Sequence, residues 1–510
     1  MFGSTLGNTK ISHRKAVGED LARVLPDDGI PWWKKRHLLF LNYCAISMAM
    51  LSAANRYDGT LMNGLMSLPQ WNEFMDHPTG AWLGFINAIQ SLSQATALPI
   101  LAYVANRFGR KLGLYVGYFF VLLGALLQAF TPNIAGFATG RFFLGQTSAW
   151  WGGMAPLLIT ELAYPTHQGF LTALYNCGWY VGSSIAAWSI YGTRNYGSDW
   201  AWRIPSLLQL AIPAVVLPAV LLVPESPRYL VSKGKLEEAR RTLVRLHGGG
   251  DEASLLVEFE VSEIHHAIES DSYAAKSTTW LGLFESKGNR HRSFISMTLG
   301  AFAQWNGVGV VSYCLSAVLN TVGIRSITEQ TLINGCLQIW NLILAVGAAG
   351  SVDRLGRRPL FVASSVGIFE TAGNTAAGIA VVPLLFIYYG FYDIAFTPLL
   401  FAYPAEIWPY RLQSRGMALT QFSSTLAAFF NIFVNPIALD AIGWKYYIVF
   451  AVILAVIVVT TYLFYPETKG HTLEEMAVIF DGEDALAHIH GYENASEKKS
   501  VHHEETVDKV

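Results

Sequence analysis

Charge is scarce in this 510-residue chain: Asp, Glu, Lys and Arg make up 14% of it, against 52% hydrophobic residues. A soluble domain carries about 25% charged residues, so the composition places most of this chain in lipid. A basic excess is also lacking. The formal net charge is −2, which gives no electrostatic basis for a nucleic-acid partner. Cysteine is rare, and Cys44, Cys177, Cys314 and Cys336 all fall in apolar runs. They read as packing residues and not as a disulfide framework. There is no Gly-rich loop with Lys, no metal-ligand spacing and no nucleophile motif, so neither an enzyme nor a nucleotide-driven pump is expected, and no metal or cofactor. Residues 1–36 lack the short apolar core and cleavage site of a signal peptide, which leaves the first spanning helix to act as the insertion signal.

Long apolar runs are what the chain has instead. They fall near 40–67, 80–104, 112–130, 134–158, 170–191 and 203–223, and again near 294–321, 330–351, 359–375, 377–402, 415–438 and 445–465. A helix of about 20 residues crosses a bilayer, so the expected class is an all-α membrane protein with twelve transmembrane helices. The expected organisation is a cytoplasmic tail at 1–36, a six-helix bundle at 37–223, a cytoplasmic stretch at 224–292, a second six-helix bundle at 293–465 and a cytoplasmic tail at 466–510. Lys and Arg crowd the tails, the central stretch and the turns at 106–111, 353–358 and 411–415, while the alternate loops hold little beyond Arg194 and Arg325. The positive-inside rule then makes the tails and the central stretch cytoplasmic. Within that stretch, 235–246 and 251–268 place apolar residues at helical spacing, as short amphipathic helices under the membrane domain would.

The two sets of six are related. Asn106-Arg107-Phe108-Gly109-Arg110-Lys111 returns as Asp353-Arg354-Leu355-Gly356-Arg357-Arg358, Glu161 with Gly169 as Glu406 with Gly416, and Pro224-Glu225-Ser226 as Pro466-Glu467-Thr468. An offset of roughly 245 residues is too long for a solenoid repeat. Two equivalent membrane halves are the mark of a secondary transporter. The basic turns with their glutamates read as a cytoplasmic gate of carboxylate–guanidinium pairs, comprising Arg107, Arg110, Glu161, Glu225, Asp353, Arg354, Arg357, Glu406, Arg415 and Glu467. Simple anchoring would explain these charges but not their repetition.

Ionisable residues inside a span are expensive, about 2.5–3.5 kcal/mol at mid-depth on insertion scales, and each is a functional hypothesis. Asp58 falls roughly 16 Å and Arg141 roughly 12 Å below the outer face at 1.5 Å per residue. The depths match well enough for an ion pair. It is either a permanent tie between two helices or a proton-coupling site, whose carboxyl exchanges a proton while Arg141 binds and lets go. Arg56, two residues before Asp58 in the first span, is a second intramembrane cation. Amides supply both donor and acceptor, as a polyhydroxylated ligand requires. The candidates are Asn87, Gln90, Asn176 and Gln304 with the neighbouring Trp305, together with Asn334, Gln338 and Asn341, which share one helix face. The bland alternative is that amides bond helix to helix.

The two basic turns, with Pro224-Glu225-Ser226-Pro227-Arg228 and Pro466-Glu467-Thr468-Lys469-Gly470, resemble the sugar porter family of the major facilitator superfamily, and Tyr57-Asp58-Gly59, Leu68-Pro69-Gln70-Trp71, Thr160-Glu161-Leu162-Ala163-Tyr164-Pro165 and Gln304-Trp305-Asn306-Gly307 resemble, within it, the fungal lactose and cellodextrin permeases. The resemblance implies two pseudo-symmetric bundles and proton-driven import of a disaccharide or hexose by alternating access in the plasma membrane. Its partners would be sugar, protons and the lipid bilayer. It puts Asp58 and Arg141 on the proton-coupling positions and Gln304, Asn341 and Asn176 on sugar-binding positions. The chain departs from the family pattern at Ala303, Phe401, Ser424-Thr425, Asn106, Gln168 and Arg56. The departures that weaken the cytoplasmic gate leave a transporter-like sugar sensor as the competing reading.

Overall fold

The computed structural model describes residues 23–26, 30–277, 280–321, 323–349, 359–361, 363–365, 368, 381–468, 476 and 479–481. Among the described residues the regular structure is helical, with no strand. The first half consists of α1 (Arg36–Leu65), the short α2 (Pro69–Phe74), α3 (Gly80–Phe108), α4 (Arg110–Phe130), α5 (Ile134–Leu162), α6 (Gln168–Thr193), α7 (Trp200–Leu208) and α8 (Ala211–Leu222). The central stretch forms α9 (Pro227–Ser232), α10 (Leu236–Leu246) and α11 (Leu255–Ser277). The second half holds α12 (Lys287–Trp305), α13 (Val308–Thr321), α14 (Ile327–Ala349), α15 (Val381–Ile407), α16 (Tyr410–Ile442) and α17 (Tyr446–Phe464). The ninth expected span lies mostly outside the described residues.

Two expected spans are each broken into two helices, for local reasons. Pro213 has no N–H to return to the Gln209 carbonyl four residues earlier, and the sixth span opens at Gln209-Leu210. Pro205 similarly frees the Ala201 carbonyl, which accepts from Thr193 Oγ1 at 2.7 Å instead. The seventh span opens at Asn306-Gly307, where Gly307 has φ +93°, a left-handed conformation that glycine adopts without strain. Asn306 Oδ1 accepts from Val308 N at 3.1 Å and satisfies the first N–H of α13. The freed Gln304 carbonyl accepts from Asn431 Nδ2 at 2.7 Å.

The buried apolar residues form separate cores, a large one drawn from residues 25 to 256 and another from residues 283 to 476. Each half therefore has its own interior. Within the halves, small residues let backbones meet. Gly145 on α5 lies against the Gln90 carbonyl of α3, and Gly182 on α6 against the Ala53 carbonyl of α1, with no room for a Cβ. Such contacts replace hydrophobic pressure between helices in lipid. By length and composition alone, Arg36–Leu65, Arg110–Phe130, Trp200–Leu222 and Arg415–Ile442 are apolar enough to cross a membrane. Others among the long helices, such as α3, α5, α12 and α14, carry amides or charges that protein, not lipid, surrounds.

The amphipathic helices sit at one face of the bundle. α10 buries Ala239, Leu243 and Leu246. Tyr229 Oη donates to the Arg107 carbonyl at 3.0 Å, and His247 Nε2 lies 3.1 Å from the Leu162 carbonyl. This is the capped face; α1 ends at Leu65 on the opposite, distal face.

Candidate functional site

Asp58 on α1 and Arg141 on α5 meet in the interior of the first half, at 3% and 2% exposure. Arg141 Nη1 donates to Asp58 Oδ2 at 3.2 Å and Oδ1 at 3.4 Å. Its other nitrogens belong to α3: Nε donates to the Ile86 carbonyl at 2.8 Å and Nη2 to Gln90 Oε1 at 3.3 Å. The guanidinium is thus anchored on α3 and reaches across to Asp58 with one nitrogen. Gln90 is held in turn by its Nε2 on Ser148 Oγ at 3.4 Å. A cation with two further partners can release its carboxylate without becoming an unsatisfied buried charge. An α3 carbonyl and a neutral amide stay in place to receive it. The expected pair is present, and Gln90 belongs to it. Arg56, on the same helix as Asp58, places its guanidinium over the Trp179 ring at 4.7 Å.

The amide candidates separate into groups. Gln338 Nε2 donates to Asn334 Oδ1 at 3.3 Å, so part of the α14 row is self-bonded, while Asn341 is 1% exposed and its Oδ1 has no partner among the described residues. Gln304 Nε2 donates to Ser424 Oγ at 3.2 Å, and Trp305 Nε1 to the Ala427 carbonyl at 3.1 Å. The Trp305 indole N–H is therefore committed to α16, leaving its ring as the part available to a ligand. Asn87 is buried, and its Nδ2 and that of Asn306 lack partners among the described residues. The Asn176 side chain lies outside the described residues.

On the capped face, Arg110 Nη2 pairs with Glu161 Oε1 at 3.0 Å. Glu225 does something different from the expected salt bridge. Its Oε1 accepts from Arg110 N at 3.0 Å and its Oε2 from Lys111 N at 3.2 Å. A carboxylate on the first N–H groups of α4 satisfies orphan donors and complements the helix dipole. Gly109 makes this possible, since it has φ +98° and a Cβ there would overlap the Glu225 carboxylate. Arg107 is exposed and contributes its carbonyl to Tyr229. In the second half, Glu406 Oε2 accepts from Thr468 Oγ1, and Glu467 Oε1 accepts from Thr468 N at 3.1 Å. Arg415 is part-buried on α16. Asp353, Arg354 and Arg357 lie outside the described residues. In the turn before α6, burial pushes the His167 imidazole below its usual range.

Four further features are not among the sequence-level candidates. Asp393 on α15 is wholly buried and accepts from Tyr180 Oη of α6, a bond between the halves. The rule that marks Asp58, an acid in an apolar run, applies to it equally. Asn63 Oδ1 on α1 accepts from Leu315 N of α13 at 2.9 Å, another bond between the halves. Gln209 Nε2 donates to Gln128 Oε1 at 2.9 Å beside Asp58. His247 Nδ1 lies 2.7 Å from Glu260 Oε2. These last three depend on helix rotation, which composition does not carry.

Comparison with known proteins converges on one family. The profile of the "Sugar (and other) transporter" family matches residues 44–480. The MFS-type transporter oryC of Aspergillus oryzae is 26% identical over 87% of this chain and 85% of its own length. A low-affinity glucose transporter of Saccharomyces cerevisiae is 27% identical over 79% and 75%. Among solved structures, an inward-open conformation of the xylose transporter XylE from E. coli superposes with a TM-score of 0.73 at 21% identity, over 86% of this chain and all of the other. The proton:xylose symporter XylE bound to a bromodeoxyglucose gives 0.71 at 21%, over 87% and 99%. At that identity the likeness establishes the fold: twelve transmembrane helices in two pseudo-symmetric halves of six. With the match spanning most of its length, the chain is a membrane transporter, not an enzyme, and belongs to the sugar (and other) transporter family.

Proposed function

We propose that this chain is a proton-coupled sugar symporter that imports a disaccharide of the lactose or cellobiose type, or a hexose, by alternating access. The buried Asp58–Arg141 pair carries the reading. A charged pair replaced by apolar side chains is often as stable or more so, so a purely structural origin explains it less well than proton exchange. Protonation of Asp58 would remove its attraction for Arg141, which has Ile86 and Gln90 to fall back on. The pairing of α1 with α5 would then change with the charge on Asp58. The relatives named as glucose transporters and the neighbour named as a proton:xylose symporter support sugar and proton as the two cargoes. The unpartnered amide atoms of Asn87, Asn306 and Asn341 support polyhydroxylated ligands. The Arg110–Glu161 pair is assigned to the gate on the capped face. That face is assigned to the cytoplasm, with 1–36, 224–292 and 466–510 cytoplasmic, the bundles at 37–223 and 293–465, and the plasma membrane as the location.

The test is uptake of labelled cellobiose, lactose and glucose in cells lacking their own sugar transporters, at pH 5 and pH 8, for wild type and Asp58→Asn. Accumulation that is stronger at pH 5 and lost in Asp58→Asn is expected. Uptake indifferent to pH and to Asp58 would make the protein a facilitator. No uptake of any of the three by protein shown to be at the surface would favour a sugar sensor.

A further inference from the structure

Both halves open on the same small device. A 3₁₀ turn, Trp32–Lys34, precedes α1, and another, Trp280–Phe284, precedes α12. Each leaves large apolar side chains exposed: Trp32 and Trp33 in the first, and in the second Trp280 at 60%, Leu281 at 78% and Phe284 at 47%. Each is followed by exposed cations, Lys34 and Arg36 in one case, Lys287 and Arg290 in the other. Apolar side chains grouped on an outer surface mark a place where something else is met, and here the pattern occurs twice.

The second turn lies level with the start of the apolar spans. It folds back beside the first turns of α12, since Ser293 Oγ donates to the Leu283 carbonyl at 2.7 Å and Asn289 Nδ2 to the Gly282 carbonyl at 2.9 Å. Gly282 packs against Leu412, three residues before the apolar part of α16 begins at Arg415. Leu283 is buried, while Trp280, Leu281 and Phe284 stand outward. Further along α12, Phe294 and Met297 are also exposed. The Phe294 ring meets the Phe464 ring of α17 edge-on at 5.3 Å, and Val456, Val459 and Leu463 of that helix are exposed as well. In a membrane transporter such an apolar surface at span depth faces lipid. The exposed side chains of the turn continue it at its foot.

We propose that Trp280–Phe284 is a membrane hook. Trp280, Leu281 and Phe284 enter the boundary between headgroups and acyl chains in the leaflet on the capped face, and Lys287 and Arg290 contact anionic headgroups beside them. Tryptophan favours that depth, and an amphipathic segment of this kind buries its apolar side about 5–10 Å into the boundary. Glu285 offsets one of the two cations, so the preference for an anionic leaflet is that of a single net charge, about fivefold. The bonds from Ser293 and Asn289 make the hook and the first turns of α12 one unit. The central stretch is thereby held by the bilayer at its end as well as by the bundle. None of this depends on Asp58 or on which sugar is carried.

The test uses the full chain in vesicles of phosphatidylcholine, alone or mixed with phosphatidylserine at roughly 3:1. Cys44, Cys177, Cys314 and Cys336 are replaced by alanine, and one fluorophore is attached through Leu281→Cys or, as the reference, through Glu237→Cys at an exposed position of α10. Quenching by lipids that carry a nitroxide near the headgroup is compared with quenching by iodide present on both sides of the bilayer. Leu281 is mostly exposed, so the substitution there disturbs little packing. The label at 281 is expected to be quenched by nitroxide lipid about threefold or more over the same label at 237, and by iodide correspondingly less. Phosphatidylserine is expected to strengthen the lipid quenching at 281, and Lys287→Gln combined with Arg290→Gln to cancel that gain. Iodide reaching the two positions equally would overturn the hook. So would a label at 281 shielded from both quenchers, because a protein surface, from another segment or a second copy, would then cover the site. Lipid quenching indifferent to phosphatidylserine and to the two glutamine substitutions would overturn the headgroup contacts of Lys287 and Arg290.

Discussion

Asp58 and Arg141 are not equivalent partners, and the difference gives a measurable asymmetry. Arg141 has the Ile86 carbonyl and Gln90 besides Asp58, whereas Asp58 has Arg141 as its one cationic partner in the described geometry. Removing the carboxylate leaves a cation with two acceptors. Removing the cation leaves a buried carboxylate that must find a proton or stay uncompensated, a loss of about 3–5 kcal/mol when one side of a buried pair is deleted. Arg141→Met is therefore expected to lower the thermal stability of the purified protein well beyond Asp58→Asn, and Asp58→Asn added to Arg141→Met is expected to restore much of the loss. Equal destabilisation by the two single changes, measured by thermal unfolding, would refute the unequal partnership. Depth counting along two helices is enough to pair these residues from sequence, because both are ionic and both stand out from apolar runs. Asp393 obeys the same rule and is equally visible in the sequence. Gln128 and Gln209 are different: the meeting of two neutral amides from α4 and the sixth span depends on rotation and on where Pro213 breaks the helix.

At the scale of elements, the repeated basic motif turns out to combine two devices. Arg110–Glu161 is the expected charge pair. Glu225 instead caps α4 through two backbone N–H groups, so its partner is a helix end and not a guanidinium. Sequence spacing marks both glutamates as important without telling a cap from a gate, because a cap depends on Gly109 turning the chain at φ +98°. Gly109→Ala has two consequences. At φ +98° and ψ 175° the backbone is in a region open essentially to glycine alone, which costs another residue about 1–3 kcal/mol, and the new methyl displaces the Glu225 carboxylate. The first turn of α4 is then expected to lose its cap, with faster amide hydrogen exchange at Arg110 and Lys111 and lower thermal stability. Glu225→Gln keeps an acceptor oxygen for one N–H and is expected to fall between wild type and Gly109→Ala. Unchanged exchange at those two amides in Gly109→Ala would remove the capping role. The amphipathic helices and the span order are legible because hydrophobic periodicity repeats over many residues. The breaks at Gln209-Leu210 and Asn306-Gly307 rest on single residues and stand out less.

For the whole molecule, the question is what holds the two halves in this arrangement, since their cores are separate. The described hydrogen bonds between them are Tyr180 with Asp393, Arg194 Nε with Thr328 Oγ1 at 3.2 Å, and Asn63 with α13. The last depends on a kink. Cys314 has φ −135° and ψ 28°, outside the helical region. The local ladder is interrupted, and Leu315 N donates across the interface to Asn63 Oδ1 at 2.9 Å instead. Ser316 Oγ adds a bond to the Asn63 carbonyl at 3.3 Å. All lie at mid-depth or towards the distal face, so among the described residues the printed ties between the halves are distal ones. Asn63→Ala leaves the Leu315 N–H buried with no acceptor, which costs about 1–3 kcal/mol in this arrangement and not in one where the halves have parted. A differential of that size shifts a two-state population by roughly 5–150-fold. Faster hydrogen exchange across Val308–Thr321 is expected in Asn63→Ala, with distal opening visible as increased alkylation of a cysteine placed at Ser67. Ser316→Ala is the control, because it deletes a hydroxyl without leaving a buried donor and should change exchange little. Equal effects from the two substitutions would mean that the Leu315 bond carries no particular share of the closure; no effect from Asn63→Ala would mean that the distal tie lies elsewhere, at Arg194–Thr328 or between α3 and α16, where Gly84 lies against the Phe433 carbonyl.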